Sequence, residues 1–185
     1  MVTTVDSGYK PVNNIINKWE TIQVAQIILM TIFDRKYYKE MKTFLPVSPY
    51  NFKQEIYRED PWKMLIVCMM LNQTSYKQVD KIREQFFLRF PDAWTFIKAK
   101  DEEIINIIKP LGFYNRRCKT WKEFSKAFTL GNYDKIEDLP GVGKYAADSW
   151  KIFQEGNINI KVEDKELKKY VTWANDYRTN LSKSI

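Results

Sequence analysis

The chain has 185 residues, 44% of them hydrophobic and 15% aromatic, enough for one compact domain or a domain plus an extension, and too apolar for a disordered polymer. Lysine and arginine total 30 against 23 acidic residues, a net charge of +7 that suits a polyanion such as DNA or RNA without establishing one. Histidine is absent, which excludes His-based catalysis and argues against a zinc enzyme; two cysteines fall short of the four thiolates of an iron–sulfur cluster.

Cys68 and Cys118 lie far apart and read as free thiols in a reducing compartment. No signal peptide or membrane span is expected, because the apolar run from Ile22 to Phe33 is short and interrupted by Gln and Thr. Residues 1–13 are polar, carry Gly8 and Pro11, and are expected to be disordered. A helical stripe then runs through Ile15, Trp19, Ile22, Ile28, Ile32 and Phe33, expected to dock on the domain. Pro46 and Pro49 mark a linker, so 14–46 is taken as a helical extension with its linker, 47–178 as the domain and 179–185 as a tail.

Inside the domain, Asn51 to Arg58 suits a short helix carrying Gln54. Asp60-Pro61 is an N-cap with proline at the first helical position, followed by Trp62, Leu65, Ile66, Met69 and Met70 at core spacing. Leu71-Asn72-Gln73-Thr74-Ser75 is a polar break, and Thr74 or Ser75 caps a helix with Val79, Ile82, Phe86 and Phe90 on one stripe. Asp101 is expected to cap a helix stopped by Pro110; the next carries Cys118, Trp121, Phe124 and Phe128. Strand patterns are essentially missing, so the fold class is all-α.

Leu139-Pro140-Gly141-Val142-Gly143-Lys144 reads as a tight hairpin in which Gly141 and Gly143 permit positive φ or a close backbone approach. Ala146, Trp150 and Phe153 follow at helical spacing, so the hairpin opens a helix whose free N–H groups and dipole suit a phosphate, with Lys144 adding charge. The last helix is expected from Glu163 to about Arg178, with Asp164 in its first turn. Asp there is either a plain cap or a carboxylate held ionised for chemistry. Tyr145 is either a buried aromatic or a site residue, and Gln54 either solvated surface or an amide offering both donor and acceptor.

Five stretches occur in one order: Ser48-Pro49-Tyr50-Asn51-Phe52 with Gln54; Asp60-Pro61-Trp62-Lys63; Leu71-Asn72-Gln73-Thr74-Ser75; Lys109-Pro110-Leu111-Gly112-Phe113-Tyr114; and Gly143-Lys144-Tyr145 with Asp148-Ser149. With Val162-Glu163-Asp164-Lys165-Glu166-Leu167, Lys169-Tyr170 and Trp173, they resemble the glycosylase domain of the methyl-CpG-binding-domain thymine DNA glycosylases, in the endonuclease III-like, helix-hairpin-helix superfamily. The resemblance covers roughly Ser48 to Trp173.

It implies a compact multi-helix helix-hairpin-helix fold, here with an extra N-terminal helical segment. The implied activity is that of a monofunctional enzyme of base excision repair. It flips thymine or uracil mispaired with guanine out of double-stranded DNA and hydrolyses the N-glycosidic bond to leave an abasic site. Asp164 matches the catalytic carboxylate. Tyr145 stands where bifunctional relatives carry the Schiff-base lysine, so no lyase activity is expected; Lys144 next door is the amine that challenges this. Gln54 and Tyr145 are implied to form the base pocket. Leu71, Asn72 and Gln73 are implied to enter the gap left by the flipped base. Arg116, Arg117, Lys119, Gly141, Gly143 and Lys144 are the expected DNA contacts, with Lys165, Lys168 and Lys169 behind them.

No side-chain metal site is implied, although a monovalent cation, Na+ or K+, on hairpin carbonyls near Leu139 and Val142 is. A nuclear, monomeric protein is expected. Gln73 and Glu166 depart from the methyl-CpG-type pattern, which has arginine and lysine there; both changes remove positive charge near DNA. A glycosylase of other base specificity, a catalytically silent DNA-binding module and a helical protein-binding scaffold built on the 15–33 stripe stay open. No methyl-CpG-binding domain is visible before Pro46.

Overall fold

A computed structural model describes residues 45–183, which lie within one compact unit. The expectations for residues 1–13 and for the stripe from Ile15 to Phe33 fall outside the described residues. The helices run in order α1 (Lys53–Ile56), α2 (Pro61–Leu71), α3 (Tyr76–Arg89), α4 (Ala93–Lys98), α5 (Asp101–Ile108), α6 (Tyr114–Leu130), α7 (Lys144–Phe153) and α8 (Lys165–Lys183). Single 3₁₀ turns at Lys109–Leu111 and Ile136–Asp138 complete the set. Among the described residues there is no strand, as the sequence predicts, and no helix long and apolar enough to cross a membrane.

Helix α2 is the centre. Its predicted one-sided stripe understates it: eight of its eleven residues are buried, from Trp62 and then Met64 through Met70, so it is apolar all round and packs against α1, α3, α6 and α7. Asp60 caps it by accepting the Lys63 N–H at 3.0 Å, with Pro61 at the first position. Trp62 buries its ring but keeps its indole N–H bonded to the Ser125 hydroxyl of α6 at 2.9 Å. Phe86, Phe90, Phe96 and Trp121 pack around one another from α3, α4 and α6 with centroids 5.1 to 6.0 Å apart.

Local chemistry sets the other boundaries. Ser75, rather than Thr74, caps α3 in a capping box with Gln78. Helix α4, absent from the sequence reading, is capped by Asp92, which accepts the Thr95 N–H at 2.8 Å. The segment read as a linker is held to the domain: Ser48 is buried, and its N–H and hydroxyl donate to the Glu55 carboxylate at 2.8 and 2.6 Å. Helix α8 starts one residue after Asp164 and continues past Arg178 to Lys183, since no Gly or Pro interrupts it.

The hairpin is seated against α2 and α6. Val142 N–H closes the turn on the Leu139 carbonyl at 3.1 Å, and Gly141 has φ +79°. A Cβ on Gly141 would lie 2.7 Å from Thr120 Cγ2 and 3.0 Å from Met69 Sδ, so both conformation and space require glycine. Gly143 differs from the prediction: its φ is −84° and a Cβ there would meet nothing within 4 Å. Gly141→Ala is therefore expected to destabilise the fold by about 1–3 kcal/mol and Gly143→Ala by no more than about 0.5 kcal/mol, as urea unfolding of the two variants will read.

Candidate active site

A cleft of about 550 Å³ opens where the end of α2, the loop 71–75, the hairpin and the starts of α3, α7 and α8 meet. Asp164 and Glu166 line it from α8, Tyr145 and Lys144 from α7, and Tyr76 from α3; Cys68 lies at its base.

Asp164 is the N-cap of α8 rather than a first-turn residue. Its Oδ1 accepts the N–H groups of Glu166 and Leu167, both at 2.9 Å. One oxygen is thus fixed by the helix end, and Oδ2 takes neither of these bonds. The cap and the chemical reading of this residue are the same geometry: the bonds that cap the helix also aim the carboxylate along the cleft wall.

Tyr145 stands opposite, in the first turn of α7. Gln54 Nε2 donates to its hydroxyl at 2.5 Å and to Ser149 Oγ at 3.3 Å. With its oxygen accepting from Gln54, the phenol keeps its own proton to donate, and the Tyr76 hydroxyl across the cleft lies within its reach. Burial holds the Tyr145 pKa well above the ordinary phenol range, with Cys68, Tyr76 and Asp164 adding to it, so the group is a neutral donor. Burial raises Tyr76 as well, with Glu166 and Asp164 contributing. It also pushes the Cys68 thiol up to about 12, so this cysteine is un-ionised near neutrality.

Gln54 is fully buried and does not line the cleft; it reaches the cavity through Tyr145 and Cys68, and its Oε1 has no hydrogen-bond partner. Leu71, Asn72 and Gln73 do line the cleft, with Asn72 and Gln73 exposed and Gln73 at φ +56°. The first turn of α7 has no side-chain cap, which leaves its N–H groups available. Lys144 is half-exposed, and its amine pairs with the nearly buried Asp148 at 3.1 Å.

Arg117 is a correction. Grouped with Arg116 and Lys119 as a phosphate contact, it is instead 8% exposed, its guanidinium bonded to the carbonyls of Met69, Asn72, Gly112 and Leu111. Those bonds and its place over the Trp121 ring at 5.8 Å leave no face for DNA. Arg116 and Lys119 are exposed. The signal was legible: position 117 lies four before Trp121 and seven before Phe124, on the buried face of α6. Two residues were missed. Tyr76 follows a cap and projects into the cleft. Phe113 is 68% exposed with φ +47°, an unusual backbone state for a bulky residue.

A glycine hairpin feeding one helix N-terminus, and a carboxylate capping a second helix across the same cleft, define a helix-hairpin-helix protein. The chain belongs to the HhH-GPD superfamily of base excision DNA repair proteins, whose profile matches residues 66–183. It is 40% identical over 126 residues to the methyl-CpG-binding domain protein 4-like protein of Arabidopsis thaliana, covering 68% of this chain and 28% of that one. It is 32% identical over 95 residues to a thymine-DNA glycosylase of Aeropyrum pernix, covering 48% of this chain and 43% of the relative. The chain therefore spans less than half the length of these curated relatives. A solved thermostable thymine-DNA glycosylase shares the fold, with a TM-score of 0.50 and 24% identity over 75% of this chain and 62% of the other.

The raised phenols set an alkaline limit. Tyr145, Tyr170 and Tyr76 each hold their proton more tightly folded than unfolded, where the pKa is about 10. Their contribution is complete below that value and is lost as pH rises beyond it. Urea midpoints are expected to fall between about pH 9 and about pH 11, and Tyr145→Phe to flatten that fall.

Proposed function

We propose that the chain is a monofunctional DNA glycosylase that extrudes thymine or uracil mispaired with guanine into this cleft and hydrolyses its N-glycosidic bond. The observation that carries the reading is the Asp164 carboxylate, oriented by two backbone N–H bonds beside an apolar-floored cleft with a neutral phenol opposite. As the bond to the base lengthens, positive charge grows on the sugar, and a fixed carboxylate stabilises it and orients or deprotonates the attacking water. The Tyr145 hydroxyl, with its oxygen satisfied by Gln54, is placed to donate to a carbonyl of the departing pyrimidine. That supports anion departure without a second acid.

Tyr145 offers no amine for a Schiff base, and the Lys144 amine is engaged by Asp148. Both support simple hydrolysis to an abasic site. The +7 charge and the uncapped N–H groups of α7 support double-stranded DNA as the partner. The same reading extends to a monomer working in the nucleus, and to a monovalent cation on the hairpin carbonyls. Leu139 O already accepts the Val142 N–H and keeps one lone pair for such an ion.

Asn caps a helix as well as Asp does, so Asp164→Asn separates chemistry from folding. Single-turnover release from G·T, G·U, A·T and A·U duplexes is expected to favour the G mispairs. The variant should be slower by about 100-fold or more with its melting temperature kept. Strands should break only after alkali. Equal release by Asp164→Asn would remove this residue from the mechanism, and breakage without alkali would remove the monofunctional reading.

A further inference from the structure

We propose that Arg117 is a positioning residue that locks the loop 71–75 to the turn 111–113, so that both enter the DNA as one rigid edge when a base leaves the stack. This rests on the proposed function. Its guanidinium joins two segments distant in sequence: Nη1 and Nη2 donate to Met69 O and Asn72 O at 2.8 and 2.7 Å, and Nε donates to Gly112 O at 3.0 Å. A planar fork with five donors reaches both segments at once, which an ammonium does less completely.

The clamp also answers a problem at the end of α2. The last carbonyls of a helix need partners, and this one has no glycine at its end to turn the backbone onto them. Arg117 takes Met69 O, the Thr74 hydroxyl takes Met70 O, and the Thr74 N–H takes Leu71 O at 3.2 Å. A cation there also suits the negative end of the α2 dipole. The backbone of the loop is thereby held while the Asn72 and Gln73 side chains are left exposed.

The second segment repeats the pattern. Gly112 O is bound, and Phe113 stands 68% exposed in the left-handed region. Gln73 shares that backbone state. Two non-glycine residues in costly conformations, held from behind by one buried arginine with their side chains free, form a presenting edge rather than a core contact.

Arg117→Lys keeps the charge and loses the fork; Arg117→Met removes both. In hydrogen exchange of the free proteins, the amides of 72–75 and of 112–114 are expected to lose protection together in Arg117→Lys, with the hairpin 139–143 unchanged. In an Asp164→Asn background, 2-aminopurine beside a G·U uracil reads base extrusion without chemistry. Arg117→Lys should weaken extrusion by about 10- to 100-fold, the scale of one or two charge-assisted bonds. Affinity for a duplex that already carries an abasic site should change by no more than about threefold. If Arg117→Met does not fold, the lysine variant still decides. Exchange rising in one segment alone or throughout the domain overturns the proposal, as does equal weakening on both duplexes or no weakening. Wild type that neither extrudes nor releases a base overturns the proposed function instead, while the exchange result still reports on the clamp.

Discussion

The contact on which the site depends is the approach of the Gly141 backbone to Thr120 and Met69, where only a hydrogen atom fits. It sets the hairpin on α2 and α6 and thereby fixes where α7 begins. From that start, Tyr145 reaches back to the fully buried Gln54 of α1 and forward into the cleft, while Ser149, one turn further on, bonds the same amide. A hairpin displaced by one methyl group would move the phenol, the N–H groups of α7 and the cleft wall together. Packing at this scale transmits shifts instead of absorbing them.

The cleft has a consistent electrostatic logic. Burial keeps the phenols and the thiol neutral, so the side chains around Tyr145 contribute dipoles and not charges. The charges sit at a rim: Asp164 is held by the backbone N–H groups of α8, and Lys144 by the Asp148 carboxylate. Such a site resists reorganisation when charge develops on a substrate, because its donors and acceptors are already aligned. The half-buried acid Glu166 shares the wall with Asp164 and adds to the negative potential there. The arginine and lysine of the methyl-CpG-type pattern at positions 73 and 166 would oppose that potential.

Much of this was legible in sequence because it is local. Asp60-Pro61, the polar cap at Thr74 or Ser75 and the Leu139 to Lys144 hairpin each combine residues whose conformational preferences agree. The readings that failed depend on partners remote in sequence. Arg117 looked like its neighbour Arg116 because composition does not distinguish a cation pointing to solvent from one pointing at carbonyls 45 and 48 residues away. Gly143 looked like Gly141, yet only one of the two faces another chain segment. Gln54 was placed correctly on a short helix, but whether an amide there touches a ligand or stands behind a phenol is decided by how α1 meets α7. Helix α4 escaped because six residues carry too little periodicity to register, although its Asp92 cap was in plain view.

The internal engagement of Arg117 changes how the positive surplus should be read. A charge tied up in folding contributes to the long-range field but does not make a short-range phosphate contact, so the +7 balance overstates the number of salt-sensitive contacts. The groups that remain to meet a phosphate are the uncapped N–H groups of α7 and the half-exposed Lys144 at the hairpin, with exposed Arg116 and Lys119 on α6. Backbone donors are positioned by the fold and, being uncharged, displace few of the counterions condensed on a polyanion. Under the proposed function, a surface built this way would grip a duplex by geometry more than by charge, leaving orientation of the strand to the same hairpin packing that orients Tyr145.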